Sequence, residues 1–312
     1  MDNNRTTTAP LLVLPFLVAA LITYPQPRDL QQRNENHDLI LTIISVYNDQ
    51  GGLIADLNKS VFTIYDNKEA QDVSYFNNED QPISIGIVVD GTTPREEIRG
   101  VRTLNVIAEA LTSFFDKSNK LNQYFLVGFN KGPQLLADWT SDSKLITEKL
   151  LSSKQSTPIH LHDACLLAFD KLTTSRYKKR VLLIIPNPEH MPDVSDLKDF
   201  KNALRQSDVL VYFVFSRTGG NFPMLASQGY GELAKMTGGL MFDPIGQSIK
   251  LMRLYVEQIA VELRHQYTIG FVPKAPADGK YHRISVRVTS SAAAASQLRH
   301  LKTRSREGYL AN

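Results

Sequence analysis

Gln81-Pro-Ile-Ser-Ile-Gly-Ile-Val-Val-Asp90 carries the strongest fold signal in the chain. An apolar, β-branched run that ends on an acidic residue and gives way to Gly-Thr-Thr-Pro94 reads as a buried central parallel strand. Directly after it, Ile98, Val101, Leu104, Ile107, Ala108, Leu111, Phe114 and Phe115 recur at helical spacing, which predicts a helix over 95–115. In open α/β sheets ligands bind in the crevice beyond the carboxyl ends of the strands, so Asp90 stands where a site is expected.

Working outward, the pattern alternates. Strands are predicted over 83–90, 123–129, 135–139, 180–185, 209–215 and 240–242. Helices are predicted over 143–151, 162–172, 195–206, 231–236 and 248–265, with Gly238-Gly239 as a helix stop. The implied class is α/β, a doubly wound and mostly parallel sheet. Before it, 38–47, 61–66 and 73–76 read as strands of a small β module over 36–80. After it, 267–272 and 281–288 return to β character, while Ala292–Ala295 and the residues beyond them read as a loosely held tail. The expected division is 1–24 leader, 36–80 β module, 82–272 α/β domain and 273–312 C-terminal β extension and tail.

The 312 residues include 42% hydrophobic and 21% charged residues, enough for a packed core. A net charge of +3 gives no electrostatic case for nucleic acid as the main partner. From Lys250 onward, however, eleven Lys and Arg stand against four Asp and Glu. Solvated strands and a basic tail are the plainer reading of that excess, ahead of a polyanion-binding surface. Arg5, the apolar stretch Leu11 to Ile22 and the small pair Ala19-Ala20 form the pattern of a secretory signal. An uncleaved membrane anchor is the alternative, and a buried helix the third reading. Cys165 is the only cysteine; it lies in an apolar helical run, reads as a small buried hydrophobe and excludes an intrachain disulfide.

The ordered set Val61-Phe-Thr-Ile-Tyr-Asp-Asn, Pro82-Ile-Ser-Ile-Gly-Ile-Val-Val-Asp, Phe125-Leu-Val-Gly-Phe-Asn, Leu161-His-Asp-Ala, Val181-Leu-Leu-Ile-Ile, Leu233-Ala-Lys-Met-Thr-Gly-Gly, Glu262-Leu-Arg-His-Gln-Tyr and Arg306-Glu-Gly-Tyr resembles the bacterial von Willebrand factor A (VWFA)-related domain proteins over residues 38 to 310. The resemblance implies secreted or periplasmic proteins with a magnesium site, the metal-ion-dependent adhesion site, built from three loops at the carboxyl edge of the sheet. The first loop has the form Asp-x-Ser-x-Ser, the second supplies a Thr and the third an Asp. Magnesium takes six oxygens in near-octahedral geometry and keeps several waters, so hydroxyls and few carboxylates suit it.

This chain departs from that pattern in every loop. Asp90 is kept and Thr92 offers a hydroxyl, but Pro94 occupies the second Ser position. Ile159 stands where the Thr belongs, and Thr157 reaches it only in a longer loop. Asn187, between Pro186 and Pro188, replaces the Asp and brings no charge. The site is therefore expected to be degenerate and no cofactor is expected, with Asp90, Thr92, Thr157 and Asn187 as its remnants and weak residual magnesium binding as the alternative. His160 and His162, read as neighbours in an extended loop, with Glu189 and His190 raise a zinc or nickel alternative, while Asp163 is expected to cap the helix starting at Ala164.

No nucleotide-binding glycine loop and no Gly-x-Ser-x-Gly elbow is present. The expected function is thus an exported, adhesion-type protein–protein interaction module rather than an enzyme. Its partner edge comprises Asp90, Thr92, Thr93, His160, His162, Glu189 and His190, and it touches a membrane only through an uncleaved leader. The alternatives are a cation-dependent binding module and a metal-dependent hydrolase using His160, His162 and Asp163.

Overall fold

Residues 39–91, 103–129, 132–154, 160–187, 197–215, 224–242, 249–289 and 301–311 are described by the computed structural model. The predicted leader falls outside them. None of the described helices is long and apolar enough to cross a membrane.

Ser84–Val89 (β5) is buried at every position, as a two-sided apolar run requires. It is flanked in parallel by Gln123–Phe129 (β6) and Arg180–Ile185 (β8). Leu210–Val214 (β9) and Met241–Phe242 (β10) extend the sheet beyond β8, and Pro133–Thr140 (β7) closes the other side antiparallel to β6. The order β10-β9-β8-β5-β6-β7 is doubly wound, with the chain reversing direction across the sheet at β5.

Alternate residues of the strands enter two cores. Ile85, Ile87 and Val89 meet Thr103–Lys117 (α1), Ser143–Ser152 (α2) and Ile249–Arg264 (α6). Val88, Phe125 and Val127 meet Leu161–Thr173 (α3), Lys198–Arg205 (α4) and Met224–Thr237 (α5). Gly86 faces the second core because the Phe125 ring fills its place; a Cβ there would lie 2.4 Å from Phe125 Cζ. Cys165 is fully buried in the same core, as its apolar run predicts. Gly238 takes φ +88° after α5, and its N–H and that of Gly239 donate to Lys235 O and Ala234 O at 3.0 Å. That double bond is a Schellman cap, which accounts for the predicted stop.

The β segments at the two ends of the chain differ from their sequence boundaries. Ile40–Tyr47 (β1) pairs antiparallel with Tyr267–Phe271 (β11) and with Lys302–Arg304 (β13), while Tyr75–Asn77 (β4) covers the far side of β11. A second sheet runs in the order Gly308–Leu310 (β14), Tyr281–Val288 (β12), Phe62–Asp66 (β2) and Glu69–Gln71 (β3). Ile44, Phe62, Ile64, Tyr267, Ile269, Phe271, Ile284, Val286 and Tyr309 share one core. The strands within 40–77 thus form half of a sandwich whose other half comes from strands within 267–288 and 302–310, and β11 does not join the parallel sheet. The expected loose tail is corrected for residues 301–311, where β13 and β14 are paired strands, while Ala292–Ala295 lie outside the described residues. Their pairing was hidden because strands of three residues are too short to carry a period of their own.

Glu262 fastens the sandwich to the parallel sheet. Its Oε1 accepts from Ser45 Oγ of β1 at 2.8 Å, Tyr212 OH of β9 at 2.7 Å and Gln266 Nε2 at 2.9 Å, and it pairs with the Arg304 guanidinium of β13. Burial alone would raise this carboxyl, but Arg304 and the donors outweigh it and hold the group below the usual glutamate value.

A second buried cluster closes the sandwich. His282 Nδ1 lies 2.9 Å from Asp66 Oδ1, its Nε2 lies 3.2 Å from Asp278 Oδ1, and Tyr309 OH donates to Asp66 Oδ2 at 2.8 Å. The hydrogen bond to Asp66, working against burial, raises the imidazole above its ordinary 6.5. A raised folded-state value means that the stabilisation is complete below the unfolded histidine value and is lost as pH rises through the folded one. Urea midpoints are therefore expected to fall as pH rises from 6.5 upward. That dependence should flatten in Asp66→Asn; an unchanged slope in the variant would show that another group titrates.

Candidate functional site

The carboxyl edge of the sheet is built where β5 and β8 end side by side. The pairing of β5 with β8 continues one residue past the strand, since Asp90 N–H donates to Ile185 O at 2.9 Å. Two residues on, Asn187 follows Pro186 at the end of β8. Asp90 is 2% exposed and Asn187 4% exposed, so a carboxylate and a neutral amide lie buried at the reversal point of the strand order.

Thr92, Thr93, Pro94, Thr157, Ile159, Pro188, Glu189 and His190 lie outside the described residues. The described donors at this edge are one carboxylate and one amide, which do not by themselves make up the oxygen set that magnesium takes.

The second loop differs from its expected form. Helix α3 begins at Leu161, and His160 is its N-cap with φ −115° and no side-chain capping bond. His160 and His162 therefore do not alternate along an extended strand; at about 100° per residue their directions diverge around the helix start. His160 is exposed, whereas His162 is partly buried and its Nδ1 is shielded from solvent without a hydrogen-bond partner among the described residues. Asp163 is exposed in the first turn rather than at the cap, where its charge favours the positive end of the helix dipole. Among the described residues no group of three or more His, Cys, Asp or Glu is placed to hold a metal ion. Among the described residues, His160, His162 and Asp163 are spread around the start of α3, and Glu189 and His190, the other members of the zinc alternative, lie outside them.

Two polar clusters were not read from the sequence as units, those around Glu262 and His282. At the end of α6, His265 Nδ1 donates to the carbonyl of Val261 at 2.7 Å. Arg264 instead pairs with Asp80, Nε to Oδ2 at 2.7 Å.

No protein-family model matches the sequence, and no curated protein matches it. Among solved structures, a von Willebrand factor type A protein from Catenulispora acidiphila is similar at 9% identity with a TM-score of 0.47, covering 82% of this chain and 70% of its own. The PilB minor pilin from Streptococcus sanguinis is similar at 8% identity and a TM-score of 0.47, covering 61% of this chain. BatB from Bacteroides thetaiotaomicron is similar at 16% identity and a TM-score of 0.39, covering 57% of this chain and 98% of its own. This chain spans 63% of the pilin's length, under two thirds of it. The α/β architecture, with a mostly parallel sheet wound about its first strand, makes the chain similar in fold to von Willebrand factor A domain proteins.

Proposed function

We propose that this chain is an exported, adhesion-type protein–protein interaction module whose metal-ion-dependent adhesion site is degenerate. The observation that carries the reading is the burial of Asp90 and Asn187 at adjoining strand ends joined by the Asp90 N–H to Ile185 O bond, where a neutral amide stands in place of a second carboxylate. With Pro94 in place of a hydroxyl donor and Ile159 in place of a threonine, hard oxygen ligands for magnesium are few. Recognition then rests on the loops' own side chains, including Thr92, Thr93, His160, His162, Glu189 and His190. Export is supported by the basic, apolar and small-residue order of the leader. No catalytic residue is part of the proposal.

The test places a photo-crosslinking residue at exposed His160 and, as a control, at Leu121, which lies just before the amino end of β6 and is 66% exposed. A discrete adduct with a protein in the exported fraction is expected from position 160, with a yield unchanged by EDTA. An adduct abolished by EDTA, or formed only from position 121, would sink the reading.

A further inference from the structure

The outer face of the second sandwich sheet presents arginine and tyrosine in an ordered row. Along β12 the side chains alternate strictly, so Tyr281, Arg283, Ser285 and Arg287 are exposed while His282, Ile284 and Val286 are buried. On β2 the corresponding outer positions are Thr63 and Tyr65; Arg287 lies opposite Thr63, and Ser285 opposite Tyr65. Arg287 reaches diagonally over the Tyr65 ring at 5.1 Å, and exposed Arg205 of α4 lies 6.0 Å from the Tyr281 ring centroid. The row rests on a rigid base, because the inner residues of both strands form the sandwich core.

Three guanidinium groups on this face have no carboxylate partner among the described residues. The nearby acids are already engaged, Asp278 with Lys280 and His282, and Glu307 with Lys235 at 3.7 Å. A guanidinium stacked on a ring keeps its edge N–H groups for bidentate contact with a carboxylate. Arginine and tyrosine, rather than lysine, are also the residues enriched at the energetic centre of protein interfaces. A net charge of only +3 disfavours a nucleic-acid occupant.

We propose that this face, formed by Tyr65, Tyr281, Arg283 and Arg287 with Arg205 at its rim, docks an acidic protein segment in extended form. The alternation of β12 puts Arg283 and Arg287 roughly 13 Å apart along the strand, so carboxylates four positions apart on an extended partner match them. The surface is separate from the carboxyl edge of the parallel sheet and needs neither Asp90 nor a metal.

The test uses the full chain and a labelled, blocked decapeptide with glutamates four positions apart, followed by fluorescence anisotropy at several salt concentrations. Binding that weakens with salt, falls by about tenfold in Arg283→Gln/Arg287→Gln and disappears for the glutamine version of the peptide is expected. Circular dichroism verifies folding, and Arg287→Gln alone serves should the double variant be unstable. Failure of the natural chain to bind the peptide, or equal binding by a folded variant, overturns the proposal. So does loss of binding in Asp90→Ala, which would move the peptide to the sheet edge. Tighter arginine-dependent binding to phosphatidylglycerol vesicles or to a single-stranded DNA oligomer also overturns it, since the occupant would then not be a protein.

Discussion

Glu262→Ala is expected to destabilise the folded chain by about 3–5 kcal/mol, the range seen when one partner of a buried ion pair is removed. The loss goes beyond one contact. Ser45, Tyr212, Gln266 and Arg304 all direct donors at the same carboxylate oxygen, and the variant removes that shared acceptor and leaves the Arg304 charge without its carboxylate. Glu262→Gln keeps an acceptor and is expected to cost less, while Glu262→Met combined with Arg304→Met should recover part of the loss by removing both charges. Urea unfolding monitored at Trp139 and by far-UV circular dichroism checks the order. The pH dependence comes from a depressed carboxyl value. The stabilisation is complete above the unfolded glutamate value and is lost as pH falls through the folded one, so Glu262→Gln should weaken the acid sensitivity of the chain. A cost for Glu262→Ala below that of an ordinary surface change would show that the cluster does not couple the sandwich to the parallel sheet.

Gly239→Ala is expected to be as damaging, about 3–5 kcal/mol, at the exceptional end of single substitutions. A Cβ at this position would lie 1.9 Å from Val211 O and 2.7 Å from Val211 C, both backbone atoms of the fully buried β9. A side chain in the way could rotate, but a central strand cannot give ground without breaking its ladder. The neighbouring Gly238 has positive φ and sits against Ser305 and Arg306 of the segment leading to β14, with Arg304 Nε donating to Gly238 O at 2.9 Å. The helix stop is therefore also the seat of the C-terminal strands. Thermal melting of Gly239→Ala against the natural chain is the measurement, and a shift of only a degree or two would contradict the packing described.

The parallel sheet was legible because its strands are buried on both faces and read as continuous β-branched runs, Ile83 to Asp90 and Arg180 to Ile185 above all. Helix ends were less so. The predicted 231–236 turned out to be the last part of Met224–Thr237, since Gly231 inside the pattern weakens the helical signal without ending the helix. The sandwich was the least legible element. Nothing local in Lys302–Arg304 announces that it pairs with Ser45–Tyr47, near the other end of the chain. At the site, Asp90 and Asn187 could be read directly because each terminates an apolar run and the topology does the rest. The orientation of His160 and His162 could not, since it depends on α3 starting at Leu161 rather than one residue later. Glu262 and His282 escaped notice for the same reason as the sandwich, as their partners are gathered from distant segments.

Isothermal titration of the chain with magnesium and then manganese, with Asp90→Ala as the control, tests the degenerate site most directly. No saturable heat is expected at millimolar metal in either protein. Saturable binding to the natural chain that disappears in Asp90→Ala would contradict a degenerate site, and would mean that Thr92 and Thr157 complete a working metal site around Asp90.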